Sequence, residues 1–178
     1  MATLIHLNGA PGVGKSTIAE RYAAEHPGVL NCDIDRLRTF IGGWEDDFLT
    51  TGNLIQPVAL AMIRAHLDAG HDVVLPQMLA SAERWTVFRE VATHAGHRYV
   101  HILLQAPPGQ SGARFYARGE DDPLHMVIRT IVEGDGGRTT IDTQERVLAD
   151  AAVARGAIVL DSSGGVDATY ARLVAAVT

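Results

Sequence analysis

An intrachain disulfide is excluded, because Cys32 is the single cysteine among 178 residues. Together with the lack of any disulfide framework, this predicts a reducing, cytoplasmic setting. Basic charge is not in excess: 15 Lys and Arg stand against 21 Asp and Glu, for a formal net charge of -6. The composition therefore gives no electrostatic footing for a nucleic-acid or membrane surface. Eight histidines leave that balance unchanged, since most are neutral at pH 7. No apolar run is long enough to cross a bilayer. The stretch from Met1 to Asn8 carries no basic segment of the kind that opens a secretory leader, so none is expected. Hydrophobic residues make up 47% of the chain, ordinary for a globular domain, and the length fits one domain spanning 1–178.

Strand-like and helix-like segments alternate. Leu4 to Leu7 reads as a buried strand, Lys15 to His26 as a helix stopped by Pro27-Gly28, and Val29 to Cys32 as a second strand. Leu54 to Ala69 has helical apolar spacing, and Asp72 to Leu75 is a third strand. Ser81 is placed to cap a helix reaching His94, followed by a strand from Tyr99 to Leu104. Pro107 to Arg118 starts as a turn and becomes helix. Asp142-Thr143-Gln144-Glu145 has capping-box spacing, Ala157 to Leu160 is a fifth strand, and Asp167 is placed to cap a last helix. Repeated β-α units predict an α/β fold: a five-stranded parallel sheet with helices on both faces. Residues 119–140 are polar and glycine-rich around one apolar patch at Leu124, Val127, Ile128 and Ile131, and are expected to form a mobile excursion from the core.

The most specific pattern is Gly9-Ala10-Pro11-Gly12-Val13-Gly14-Lys15-Ser16, followed by Thr17 and set between a strand and a helix. Glycines let backbone N–H groups turn toward phosphate oxygens, and the helix N-terminus adds partial positive charge. In such a loop the lysine reaches the β- and γ-phosphates and the serine hydroxyl meets Mg²⁺. ATP and Mg²⁺ are therefore the expected cofactors, with Lys15 and Ser16 in these roles.

Asp33-Ile34-Asp35 follows the second strand, on the sheet edge where ligands of parallel α/β proteins gather. Read as extended chain, Asp33 and Asp35 point the same way. One carboxylate is placed to hold the Mg²⁺ hydration shell, the other to accept a proton from an attacking hydroxyl. The other reading has Asp35 capping a helix from Arg36 to Ile41 with Asp33 solvated beside it.

These pieces, with Leu7-Asn8 before the loop, Arg38 one turn beyond Asp35, and Arg114-Phe115-Tyr116-Ala117-Arg118, resemble the small-molecule kinases of the P-loop class. That group includes shikimate, gluconate, chloramphenicol and zeta-toxin-like kinases. The resemblance implies a nucleoside-monophosphate-kinase type of fold with a lid at about 119–140. It makes Asp35 the base and Asp33 the metal-side acid. Arg114 and Arg118 become lid arginines over the triphosphate, with Arg118 acting in catalysis alongside Lys15. Asp33, Asp35, Arg38 and Gln77 fall to the acceptor, and Ser16 and Asp33 to the metal. One departure stands out: the third strand ends Leu75-Pro76-Gln77, without the acid that many P-loop enzymes carry beside the loop. That strand end, with the Asn8-Gly9 start of the loop, also resembles bacterial tunicamycin-resistance ATP-binding proteins.

A guanine-reading N-K-x-D is absent, and Asp161-Ser162-Ser163-Gly164 follows the last strand, so a GTPase switch fits poorly. That segment is either a turn beside the adenine or a helix-opening turn. Arg114 and Arg118 are alternatively surface residues paired with Glu120, Asp121 or Asp122. His6 reads as a hydrogen-bonded core or edge histidine, and Glu45-Asp46-Asp47 as a solvated loop that would suit a cationic or polyhydroxylated acceptor if it faced the pocket. The expected activity is ATP-dependent phosphorylation of a hydroxyl on a small molecule, antibiotics and other secondary metabolites included. The alternative is an ATP-binding resistance protein that sequesters a drug without phosphorylating it.

Overall fold

The computed structural model describes residues 1–178. Five strands, β1 (Thr3–Asn8), β2 (Leu30–Asn31), β3 (Val73–Leu75), β4 (Arg98–Gln105) and β5 (Ile158–Asp161), form one sheet in the order β2-β3-β1-β4-β5. Every pairing is parallel, so each connection is a crossover, and helices cover both faces. The predicted α/β class and strand count hold.

The helices are α1 (Lys15–Glu25), α2 (Ile34–Arg38), α3 (Phe48–Asp68), α4 (Ala82–Thr93), α5 (Gln110–Tyr116), α6 (Pro123–Gly134), α7 (Arg138–Ala154) and α8 (Gly165–Val177). Alternation along β1 divides the core. Ile5 and Leu7 pack with Ile18 and Ala19 of α1 and Tyr170 and Leu173 of α8. Leu4 faces the other way, among Ile55, Ala59, Ile63 and Leu67 of α3 and Phe88 of α4. The central strand is buried on both faces, so a continuous apolar run is its natural sequence.

Several boundaries move from their sequence-based positions. α3 opens at Phe48 because Asp47 accepts from the Thr50 N–H, a cap hidden inside the acidic run. α7 opens at Arg138 rather than at Asp142, because the turn at Gly136 and Gly137 lets the chain reverse after α6 and start a new helix at once. Asp167 is not the cap of α8. Gly164 occupies that position, and Asp167, in the first turn, pairs with Arg21 of α1 at 2.6 Å. Residues 119–140 fold largely into α6, whose Val132 packs with Phe115 and Ile141. No helix is long and apolar enough to cross a membrane.

Candidate active site

The loop from Gly9 to Gly14 joins the end of β1 to α1. Gly12 has φ 82°, and a Cβ there would strike the Ser111 carbonyl and the Phe115 backbone, so only glycine lets α5 lie this close. α1 carries no side-chain cap and no acid in its first turn, so its N-terminal N–H groups face the loop without a carboxylate competing for them. Lys15 Nζ donates to the carbonyls of Gly9 at 2.8 Å and Ala10 at 3.0 Å. Burial lowers its pKa to about 8, against the raising effect of Asp35 and Asp33.

Asp33 and Asp35 both line the cavity beside this loop, for a reason other than extended alternation. The chain is helical from Ile34, and Asp33 is the N-cap: its Oδ1 accepts from the N–H groups of Asp35 at 3.1 Å and Arg36 at 3.3 Å. Capping by Asp33 releases the Asp35 side chain from that role. Burial pushes the Asp35 carboxyl above the usual aspartate range, while Arg38 and Lys15 pull it down. Arg38 Nε lies 3.4 Å from Asp35 Oδ1. Arg38 is itself buried, held by the Phe48 carbonyl at 3.0 Å, with its guanidinium 4.1 Å from the Phe48 ring centroid. Gly52 of α3 makes room for it: a Cβ there would lie 2.9 Å from Arg38 Cζ.

A cavity of ≈ 340 Å³ brings Pro11, Gly12, Gly14, Lys15, Ser16, Asp33, Asp35, Arg38, Gln77 and Arg118 together. A second hollow of ≈ 240 Å³ on the other side of the loop is lined by Gly12, Val13, Gly14, Thr17, Arg114, Arg118 and Ser162. Arg118 alone among the arginines borders both. Arg114 donates to the Ser162 carbonyl at 3.0 Å, which ties the turn after β5 to the loop side of the sheet. Neither arginine lies within ion-pair distance of Glu120, Asp121 or Asp122.

Behind the loop lies a buried polar layer. Asn8 Oδ1 accepts from the N–H groups of Gly9 and Leu79, and its Nδ2 donates to the Leu79 carbonyl. His6 Nε2 donates to the Gln77 carbonyl at 2.7 Å, which leaves Nδ1 to accept from the Tyr99 hydroxyl at 2.8 Å. His6 is the buried, hydrogen-bonded core histidine that its position in the first strand predicts. Burial lowers its pKa to about 3. These bonds hold the segment after β3 against the phosphate loop and set Gln77 in the cavity wall.

Sequence reasoning missed part of that wall. Phe48, Leu49, Met78, Arg84, His125 and Gln144 line the cavity, and no local spacing marks them. Leu124, Ile128 and Ile131 form the apolar patch visible in sequence, but where it faces depends on the packing of α6.

A family profile described as an AAA domain matches residues 4–134. The chain belongs to this AAA domain family. The match runs from β1 through the phosphate loop and the Asp33–Arg38 segment to the end of α6, so the loop and its carboxylates lie inside the family region. The crystal structure of a gluconokinase from Sinorhizobium meliloti 1021 is similar over 96% of this chain and 93% of its own, with a TM-score of 0.58 at 19% identity. The structure of Deinococcus radiodurans tunicamycin resistance protein matches 89% of this chain and 98% of its own, with a TM-score of 0.47 at 20% identity. No curated protein matched the sequence. The fold is that of a P-loop kinase, as the sequence resemblance implied.

The donors present suit Mg²⁺. Ser16 and the Asp33 and Asp35 carboxylates open on one cavity, and a hard cation takes oxygen ligands. No group of three or more His, Cys, Asp or Glu converges as a metal cage. That is compatible with Mg²⁺, which is commonly held by one or two protein groups together with substrate phosphates.

Proposed function

We propose that the protein transfers the γ-phosphoryl group of ATP to a hydroxyl of a small molecule. The observation that carries this reading is the Asp35 carboxyl: half-buried, freed from capping by Asp33, and on the same cavity as Lys15 and Ser16. ATP lies with its phosphates in the loop and its base toward the hollow beside Ser162. Asp35 accepts the proton of the acceptor hydroxyl as its oxygen bonds to the γ-phosphorus. The bond from that phosphorus to the bridging β-γ oxygen breaks, and ADP leaves with the electron pair. A carboxyl with a raised pKa is a stronger base once ionised, and Arg38 and Lys15 favour the ionised form. Lys15 and Arg118 supply positive charge where the transferring group gathers negative charge. Ser16 and Asp33 would hold Mg²⁺, which when bound neutralises phosphate charge.

The test is ATP consumption across a panel of hydroxylated metabolites and antibiotics, with the product weighed by mass spectrometry. A product heavier than the acceptor by one phosphoryl group, with ADP in equal amount, supports transfer. An acceptor that binds tightly and is never phosphorylated supports the sequestering alternative.

A further inference from the structure

The acceptor end of the cavity is two-faced. Beside Asp35 it is polar, but its outer wall is built by Phe48, Leu49, Met78, Leu124, Ile128 and Ile131, drawn from α3, the segment after β3, and α6. Leu49 is 70% exposed, and Ile128 and Ile131 stay half-exposed although they belong to the strongly apolar face of α6. Such a surface costs free energy unless something covers it. The wall also continues outward: Phe48, Leu49, Val127 and Ile131 line a further hollow of ≈ 330 Å³ together with Glu45, Asp46, Asp47 and Thr130. The acidic run therefore borders this outer hollow and not the cavity that holds Asp35. At the polar end, Gln77 is 8% exposed, its Oε1 has no hydrogen-bond partner, and its backbone is fixed by His6. A buried acceptor atom without a donor marks where a ligand donor fits.

We propose that the acceptor is an amphipathic alcohol rather than a polyol or sugar acid. Its reacting hydroxyl meets Asp35, a neighbouring N–H or O–H donates to Gln77 Oε1, and an apolar body lies against α3 and α6. This inference rests on the kinase reading, and its test separates the two.

The probes are butane-1,2-diol, hexane-1,2-diol and octane-1,2-diol, set against glycerol, sorbitol and gluconate. Affinity is measured by calorimetry with a non-hydrolysable ATP analogue and Mg²⁺ present, and kcat/KM with ATP. Each buried methylene should raise both by about fourfold, so the series should span about two orders of magnitude. Leu49→Asn and Ile131→Asn should flatten the rise. Phe40→Ala should not, because Phe40 is exposed but lies outside the cavity. Hexan-1-ol should bind about tenfold more weakly than hexane-1,2-diol, and Gln77→Leu should erase that difference.

A rise in affinity without phosphorylated product supports the amphipathic ligand and overturns the kinase reading. Transfer to sorbitol or gluconate that equals or exceeds transfer to the diols overturns the amphipathic acceptor and leaves the kinase reading intact. A flat affinity series, or no binding of any diol, also overturns the amphipathic acceptor.

Discussion

The side-chain amide of Asn8 holds both backbone groups of Leu79: Oδ1 accepts from its N–H at 3.1 Å, and Nδ2 donates to its carbonyl at 3.2 Å. The same Oδ1 accepts from the Gly9 N–H at 2.9 Å. One buried residue thus fixes the phosphate loop to the wall that presents Gln77 and Met78. Asn8→Ala removes these three hydrogen bonds and a fourth between Nδ2 and His101 Nε2 at 3.3 Å, and leaves buried groups unpaired, so it should cost about 3 kcal/mol and lower Tm by about 10 °C. Calorimetric melting checks this. A loss under about 1 kcal/mol would show that the clamp is replaced by other partners.

Lys15→Ala tests the loop itself. ATP affinity should fall by at least about tenfold while the melting temperature holds, because the Lys15 amine bonds only to the Gly9 and Ala10 carbonyls. Titration of the purified variant with ATP and Mg²⁺ is decisive. Wild-type affinity and turnover would remove the loop from nucleotide binding.

Asp35→Asn should leave ATP and acceptor affinity within a few-fold and slow transfer by about 10²–10⁴-fold. Because burial raises the Asp35 pKa, the kcat/KM profile should fall on its acidic side at a pH above the ordinary aspartate range. A variant that transfers at the wild-type rate would exclude Asp35 as the base.

Arg118 borders both the acceptor cavity and the hollow beside Ser162, as a residue spanning donor and acceptor must. Arg118→Ala should cut transfer far more than ATP affinity. Closure of 119–140 should appear as added hydrogen-exchange protection when nucleotide and acceptor are both bound. An unchanged exchange profile with normal turnover in the variant would take this segment out of the mechanism.

Acid should loosen the fold through the layer behind the loop. Burial lowers the pKa of His6 to about 3 and of His101 to about 4, and the two rings stack 5.0 Å apart. The unfolded chain takes up protons at these residues near pH 6.5 and the folded chain does not, so their stabilisation is complete above that pH. It is lost as pH falls toward 4 and 3. Urea unfolding at pH 7 and pH 5 should differ by ~2 kcal/mol for each histidine. Equal stability at both values would mean that the rings are protonated in the native state.

The sequence by itself determined the sheet, the phosphate loop and the pair of acids. Their signals are local: apolar runs between turns, a glycine-lysine-serine register, and carboxylates just after a strand. Ser81 as the cap of α4 was legible for the same reason, since a cap bonds within its own turn. Packing decided the rest. Whether Asp33 or Asp35 caps α2 turned on a helix start two residues earlier than composition suggests, and that start takes Asp35 out of the capping position. Nothing near Phe48, Met78 or Ile131 in the chain says that they share a wall. The wall exists because α6 folds back toward α3 across the mouth of the loop, and contacts between residues so distant in sequence are written only in the tertiary structure.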